Sequence, residues 1–448
     1  MFPLPPPVQT ALHRLNDAGF SCYLVGGCVR DFLLGRMPTD FDLTTNARPA
    51  QMQAVFSAFR CIETGLRHGT LTVMIRDFPL EITTYRVDGA YSDSRHPDSV
   101  IFTENLCADL ARRDFTVNAI AYHPKTGLVD PFDGRSDLEH RLLRCVGIPA
   151  QRFSEDALRI LRCIRFSSVL GFGVEAETDD AIRTRKDRLQ SVAAERIRAE
   201  LDKLLLGTDV TRILLAYPEV LGVAIPELLD SVGFLQHSPY HRYSVWGHTA
   251  YAVGAAAEDP VVRLAMLLHD LGKPATFTRD QTGRGHFKGH AAVSAEMTKT
   301  ILTRLRYPNK TVQGVTELVA RHSDKIFNDA QIRRLLAQYG TEWFFRQLEV
   351  RRADMRAKEA FCLRELDSID RMEQAARRIL KNGDCLSLHD LLIDGSDLQL
   401  LGAKGRCIGR VLDQLLERVL DGSLPNSREP LFYEAERLIA LYQETNEA

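Results

Sequence analysis

The chain has 448 residues, enough for about three domains, and 45% of them are hydrophobic and 26% charged, a balance typical of globular protein rather than disorder. Lys and Arg number 57 against 59 Asp and Glu, so the formal charge of −2 excludes coating of nucleic acid by bulk charge and leaves room only for a local basic groove. Charge interrupts the longer apolar runs, the opening MFPLPPPVQT lacks a basic and a long apolar region, and the nine Cys show no CxxC spacing. A membrane span, a signal peptide, a disulfide framework and a zinc ribbon are therefore not expected, and reduced thiols in the cytoplasm are.

In chain order, residues 8–18 read as a helix leading into the apolar strand 22–25. Further strands are expected at 71–75, 80–84 and 117–122, which are rich in Val, Ile and Thr, with turn material at 88–98. From about Ser154 the period changes: Leu158, Leu161, Ile164 and Phe166 share one helical face, and amphipathic segments continue to the end. The expected class is α+β, a mixed head followed by an all-helical body. The expected segments are 1–150, 151–220, 221–330 and 331–448.

The densest chemistry lies in YLVGGCVRDFLLGRMPTDFDLTT at 23–45. Gly26 and Gly27 follow a strand and open a helix carrying Arg30, a plausible seat for a triphosphate. Asp40 and Asp42 flank Phe41, and on a strand such i, i+2 residues point to one face. Two carboxylates there suit Mg²⁺, which would assist an attacking hydroxyl and stabilise leaving pyrophosphate. Glu81 is a third candidate carboxylate. Taken singly, each of these features reads as an ordinary turn or strand end; their spacing within one strand–helix–strand unit is what carries weight.

This stretch resembles the class II nucleotidyltransferases, the tRNA CCA-adding enzymes and bacterial poly(A) polymerases. The resemblance continues through GLRHGTLT at 65–72, EITTYR at 81–86, DLARRDFTVNA at 109–119 and VDPFDGRSDL at 129–138, with residues 88–102 similar to the family's flexible loop. It implies that Gly27 and Arg30 touch nucleotide phosphates, that Asp40 and Asp42 hold Mg²⁺, and that Arg113 contacts the nucleotide. It also implies a nucleotidyltransferase head, a helical neck and a tRNA-binding tail.

In the neck, Ser154 is expected to cap a helix whose first turn holds Glu155 and Asp156, followed by Arg159, Arg162 and Arg165. Asp156 and Arg159 would share a face, either as a plain ion pair or as a template for bases. An ionised Asp only accepts hydrogen bonds and an Arg only donates them. Such a pair fits the amino group and ring nitrogen of adenine and cytosine and mismatches guanine and uracil. EDALRILRCIRF at 155–166 resembles the family's templating motif, with Arg162 and Arg165 extending contact toward phosphate or primer. ERIRAEL at 195–201 resembles its last neck motif and reads as a helix-packing ion-pair set.

The body carries His248, then LLHDLGKP at 267–274 with His269 and Asp270, then His290 and His322. Imidazoles with a carboxylate suit a divalent metal such as Mg, Mn, Ni or Co. The order resembles the HD phosphohydrolases, and Asp324 is an extra candidate ligand. The domain is either a hydrolase or a helical scaffold for tRNA. The tail segment DGSDLQLLG at 394–402, with Lys404, Arg406 and Arg410, resembles the family's C-terminal part and could meet tRNA phosphates.

The resulting expectation is an enzyme adding C, C and A to tRNA from CTP and ATP. Its partners would be tRNA and nucleotides, with no membrane and no protein partner, in a monomer or homodimer. The rivals are an A-adding enzyme or a poly(A) polymerase, an HD hydrolase with a nucleotide-sensing head, and a non-catalytic tRNA-binding protein.

Overall fold

The structure, a computed structural model, describes residues 2–63, 65–89 and 100–446. These form two compact units, Met1–Leu229 and Asp230–Ala448. No helix among the described residues is long and apolar enough to cross a membrane.

The first unit opens with the helix Pro6–Asp17, whose buried Val8, Ala11, Leu12 and Leu15 follow the i, i+3, i+4, i+7 spacing of one helical face. Its strands are β1 (Cys22–Val25), β2 (Asp42–Thr45), β3 (Arg60–Ile62), β4 (Thr70–Ile75), β5 (Phe78–Thr84), β6 (Arg86–Asp88), β7 (Val100–Phe102), β8 (Ala121–His123) and β9 (Gly127–Val129). Seven build one mixed sheet in the order β3-β4-β5-β2-β1-β8-β9, with β2 and β5 parallel and the other pairs antiparallel. In β4, Leu71, Val73 and Ile75 are buried and alternate with half-buried Thr70, Thr72 and Met74, the period-2 pattern of a strand with one face on the core. β6 and β7 pair as a separate ribbon, and most of the loop expected between them lies outside the described residues.

Two local expectations need correction. Of the strand expected at 117–122, only Ala121–His123 is a strand; Thr116–Asn118 is a 3₁₀ turn. The buried Asp114 carboxylate imposes that turn by accepting from the Phe115 N–H (2.9 Å) and the Asn118 amide (3.0 Å). Ser154 does not cap a helix start either. Ser154 and Glu155 end the helix Pro149–Glu155, and the next helix is Leu158–Leu170. Asp156 breaks the chain between them, in extended conformation, and accepts from the Leu158 N–H at 3.1 Å.

The second unit is helical, with Val245–Ala255, Pro260–Leu268, His290–Arg304, Asn309–Ala320 and Asp329–Arg356 forming its first half. Asp329–Arg356 is broken at Gly340, whose φ of 82° and ψ of 168° are open to glycine and strained for other residues. Toward the C-terminus, Leu398, Val411, Leu415, Leu431, Ala435 and Leu438 form a further core. There Asp394 caps the helix Gly395–Leu400 by accepting from the N–H groups of Ser396 and Asp397.

Candidate active sites

Three groups of side chains converge in the first unit. At the head, Gly26 has φ 79° and ψ −135° and precedes the helix Gly27–Leu33. A Cβ there would lie 3.0 Å from Nη1 of Arg113 and 3.8 Å from Oδ2 of Asp42, so the bare glycine leaves room for both side chains beside the turn. The register then sets the acids. Val25 pairs with Asp42, and Asp42 pairs with Glu81 on parallel β5, so the two carboxylates stand side by side on one face. Asp40 precedes β2, and the i, i+2 arrangement still holds: buried Phe41 turns inward against Phe32 and Phe78, and exposed Asp40 and Asp42 face out. Partial desolvation pushes the Asp42 carboxyl above its ordinary range; Arg113 opposes this, and Glu81 and Asp40 add to it. A desolvated carboxylate with two more beside it forms a site that a hard cation would relieve, so these residues fit Mg²⁺.

Asp109 anchors the segment that leads into Arg113. That fully buried carboxylate accepts from Thr44 on β2 (2.9 Å) and from the Arg86 N–H (3.2 Å), and pairs with Arg112 at 2.8 Å. It ties the helix Leu106–Ala111 to the strand that carries Asp42. Arg113 Nε is buried with no hydrogen-bond partner. Arg30 is held rather than free: it pairs with Asp31 at 2.8 Å and donates to Asn118 Oδ1 at 2.9 Å.

On the neck, Asp156 and Arg159 are each held by another charged partner. Asp156 is held by Arg196, whose Nη2 and Nη1 donate to its two oxygens at 2.7 and 3.2 Å. Arg159 pairs with Glu155 at 2.7 Å and donates to the Arg112 and Arg152 carbonyls. Because Asp156 sits outside the helix, it and Arg159 do not stack on one face; each is oriented by its own partner. Arg162 binds Asp114 at 2.6 Å, and Arg165 binds Glu200 at 2.8 Å while covering the Phe166 ring. Burial would push the Asp114 carboxyl up, but Arg162 and Asn118 hold it well below the usual range. ERIRAEL at 195–201 thus supplies two of these ion pairs, through Arg196 and Glu200.

In the second unit, His248, His269 and Asp354 form one compact group, and Asp270, His290 and His322 another. His248 Nε2 lies 3.0 Å from Asp354 Oδ1 and 3.4 Å from His269 Nε2; His290 Nε2 lies 3.1 Å from His322 Nε2. Asp270 links the groups, with Oδ2 at 3.1 Å from His269 and Oδ1 at 3.6 Å from His290. All five residues found from the sequence come together. His322 lies in the turn just past Asn309–Ala320 rather than within a helix. Burial pushes the His248 and His290 imidazoles below their ordinary value and His322 down to about 3. Burial opposes ionisation of Asp270 and Asp354, but His269 and Lys273 hold the first well below its ordinary value, as Lys358 and His248 do the second. Neutral imidazole with ionised carboxylate is the protonation state that metal ligands need, so the donor set fits divalent metal. Asp324 instead pairs with Arg321 at 3.0 Å and joins neither group.

Sequence reasoning missed Asp354 and Asp114, while Arg196 belongs to the ion-pair set expected at 195–201. Asp354 stands four residues before Lys358, a spacing that reads in the sequence as an ordinary intrahelical ion pair; the pair is present, at 2.6 Å, with Lys358 just past the helix end.

The geometry defines a nucleotidyltransferase-type head joined to a helical chain with a histidine–aspartate centre. Residues 22–144 match the poly A polymerase head domain family, 171–229 the probable RNA and SrmB-binding site of polymerase A, and 240–372 the HD domain. The CCA-adding enzyme of Geobacillus thermodenitrificans is 36% identical over 327 residues, 67% of this chain and 80% of that protein. That of Lactobacillus delbrueckii subsp. bulgaricus is 44% identical over 216 residues, 48% of this chain and 53% of that protein, so against such relatives the match spans about half their length. A CCA-adding enzyme of Bacillus stearothermophilus, solved in complex with CTP, superposes with a TM-score of 0.74 at 28% identity, covering 99% of this chain and 100% of that one. The chain belongs to the CCA-adding enzyme family.

Proposed function

We propose that this protein extends the 3′ end of tRNA with C, C and A, using CTP and ATP, and that its histidine–aspartate centre hydrolyses a phosphoester. The observation that carries the first reading is the row formed by Gly26, Asp42 and Glu81, closed by Arg113. In the proposed reaction the terminal 3′-oxygen attacks the α-phosphorus, a new P–O bond forms, the bond to the β-phosphate bridge breaks, and pyrophosphate leaves. Mg²⁺, held by Asp40 and Asp42 with Glu81 beside them, supplies charge stabilisation at the triphosphate. The chain's own contribution is positioning. Gly26 and Gly27 admit the phosphates, Arg30 and Arg113 face them with positive charge, and Asp156 and Arg159 select A and C by hydrogen-bond polarity. Arg162 and Arg165, locked by acids, support that helix and the primer. The protein would act in the cytoplasm, in keeping with nine unpaired cysteines.

The hydrolase reading rests on the two His/His/Asp groups, which Asp270 of the second group links. Nitrogen and oxygen donors of this kind suit Mn, Ni, Co or Mg. Transcripts ending before CCA, after C and after CC, offered CTP, ATP or both, test the pair of readings. Growth to CCA that then stops is expected, lost in Asp42→Ala and kept in Asp270→Ala, while hydrolysis behaves in the opposite way. Addition by Asp42→Ala would overturn the transfer mechanism, addition of A alone would make the protein an A-adding enzyme, and long A tails would make it a poly(A) polymerase.

A further inference from the structure

The histidine centre opens into a cavity of about 600 Å³, far larger than one phosphate needs and within the range that holds a nucleotide-sized ligand. Four cations line it: Lys273, Lys325, Arg351 and Lys358. Two are occupied. Lys273 Nζ sits 2.7 Å from Asp270 and 2.7 Å from Gln236, and Lys358 Nζ sits 2.6 Å from Asp354. Lys325 is exposed at the rim.

Arg351 differs from all of these. It is half-buried, and its one side-chain hydrogen bond among the described residues runs from Nη1 to Met372 Sδ at 3.5 Å. No carboxylate among the described residues lies within ion-pair distance of it, although Glu365, Asp354 and Asp324 face it from further off. Asp324 and Asp354 are taken by Arg321 and Lys358. The neighbouring Arg352 shows what this helix does with a structural arginine: it binds Glu349 at 2.5 Å, Asp370 at 2.9 Å and also Glu373. A guanidinium offers five N–H donors and stays charged in proteins, and burying it without an acceptor is costly. Such a group is retained where a ligand supplies the acceptor. The same wall carries Met355, Ile369 and Met372, apolar surface suited to a sugar or base.

We propose that Arg351 is the specificity residue of this cavity: it binds a second phosphate on a ligand whose first phosphate lies at the histidine centre. The centre thereby prefers bisphosphorylated compounds, of the nucleoside bisphosphate class, over monophosphates. This deepens the hydrolase reading and names its substrate class, while the ligand preference can be measured without turnover.

The test uses the full chain with Asp40→Asn and Asp42→Asn, which removes the head's acidic metal ligands, in the presence of Mn²⁺. Calorimetry compares adenosine 3′,5′-bisphosphate with adenosine 5′-monophosphate. One charge-assisted contact predicts that the bisphosphate binds roughly 10- to 100-fold more tightly. Arg351→Gln should erase that preference while leaving monophosphate affinity unchanged, and Arg351→Lys should restore part of it. Equal affinity for the two ligands, no binding of either, or an equal loss of both in Arg351→Gln would overturn the proposal. A preference that depends on Arg351 without any hydrolysis would sink the hydrolase reading alone.

Discussion

Gly26→Ala is the sharpest perturbation of the transfer site. The residue sits at φ 79°, ψ −135°, where an L side chain costs on the order of 1–3 kcal/mol. The added Cβ would also stand 3.0 Å from Arg113 Nη1, closer than an unforced contact, and 3.8 Å from Asp42 Oδ2. The guanidinium end can yield, so the steric part converts into a displaced Arg113 rather than a broken fold. The backbone strain has no such outlet, because Val25 is locked to Asp42 in the sheet. The expected outcome is a loss of about 2 kcal/mol in stability and a fall of about 100-fold in single-turnover CMP incorporation, the scale of a misplaced catalytic contact. Gly27→Ala is the internal control: it lies in helical conformation, and its Cβ would meet nothing closer than Arg30 Nη2 at 3.6 Å. Stability there should hold or rise by up to about 1 kcal/mol. Denaturant melts and rapid-quench incorporation on a tRNA transcript read both quantities. If the two variants melt alike, the account of the turn is wrong.

Two further outcomes follow from the charges. Asp42 has a raised carboxyl pKa, so the folded state holds its proton more tightly than the unfolded chain and stability falls as pH rises through the unfolded and then the folded value. Asp42→Asn should therefore raise the melting temperature of metal-free protein at neutral pH and flatten its dependence on pH, while abolishing nucleotide addition; a lower melting temperature would contradict the crowded-acid reading. Glu200→Gln leaves Arg165 without its acid in a buried setting, where breaking such a pair costs about 3–5 kcal/mol. Because Arg165 keeps the Phe166 ring and the Gln oxygen remains an acceptor, the lower end is expected, and a melt shifted by less than about 1 kcal/mol would show that the pair adds little.

What could be read in the chain depended on the range over which each constraint acts. The glycine turn and the Asp40–Phe41–Asp42 alternation are local, set by neighbours one or two residues away, and the head strands followed from the same short-range pattern. Glu81 needed more, since only the parallel register of β2 and β5 sets it beside Asp42, and pairing partners 39 residues apart leave no periodic trace. The neck shows how a local rule can mislead. Ser154, Glu155 and Asp156 have the composition of a helix start, yet the capping chemistry acts at Asp156 alone, which accepts from Leu158 N–H after one helix has ended.

For the base choice proposed for Asp156 and Arg159, that break has a consequence. Inside a helix, Asp156 and Arg159 would have neutralised each other three residues apart, leaving little to present to a base. Outside it, Asp156 is oriented by Arg196 from a later helix, and Arg159 is oriented by Glu155 and two carbonyls. Each side chain keeps its polarity, one accepting and one donating, and each has a charged partner of its own, Arg196 for Asp156 and Glu155 for Arg159. Rigid placement of opposed polarities is what hydrogen-bond discrimination requires, since a mismatched base then leaves polar groups unpaired that cannot swing away to find new partners. The same logic of distant partners hid Asp354, whose role arises only because its helix brings it to His248, 106 residues earlier in the chain.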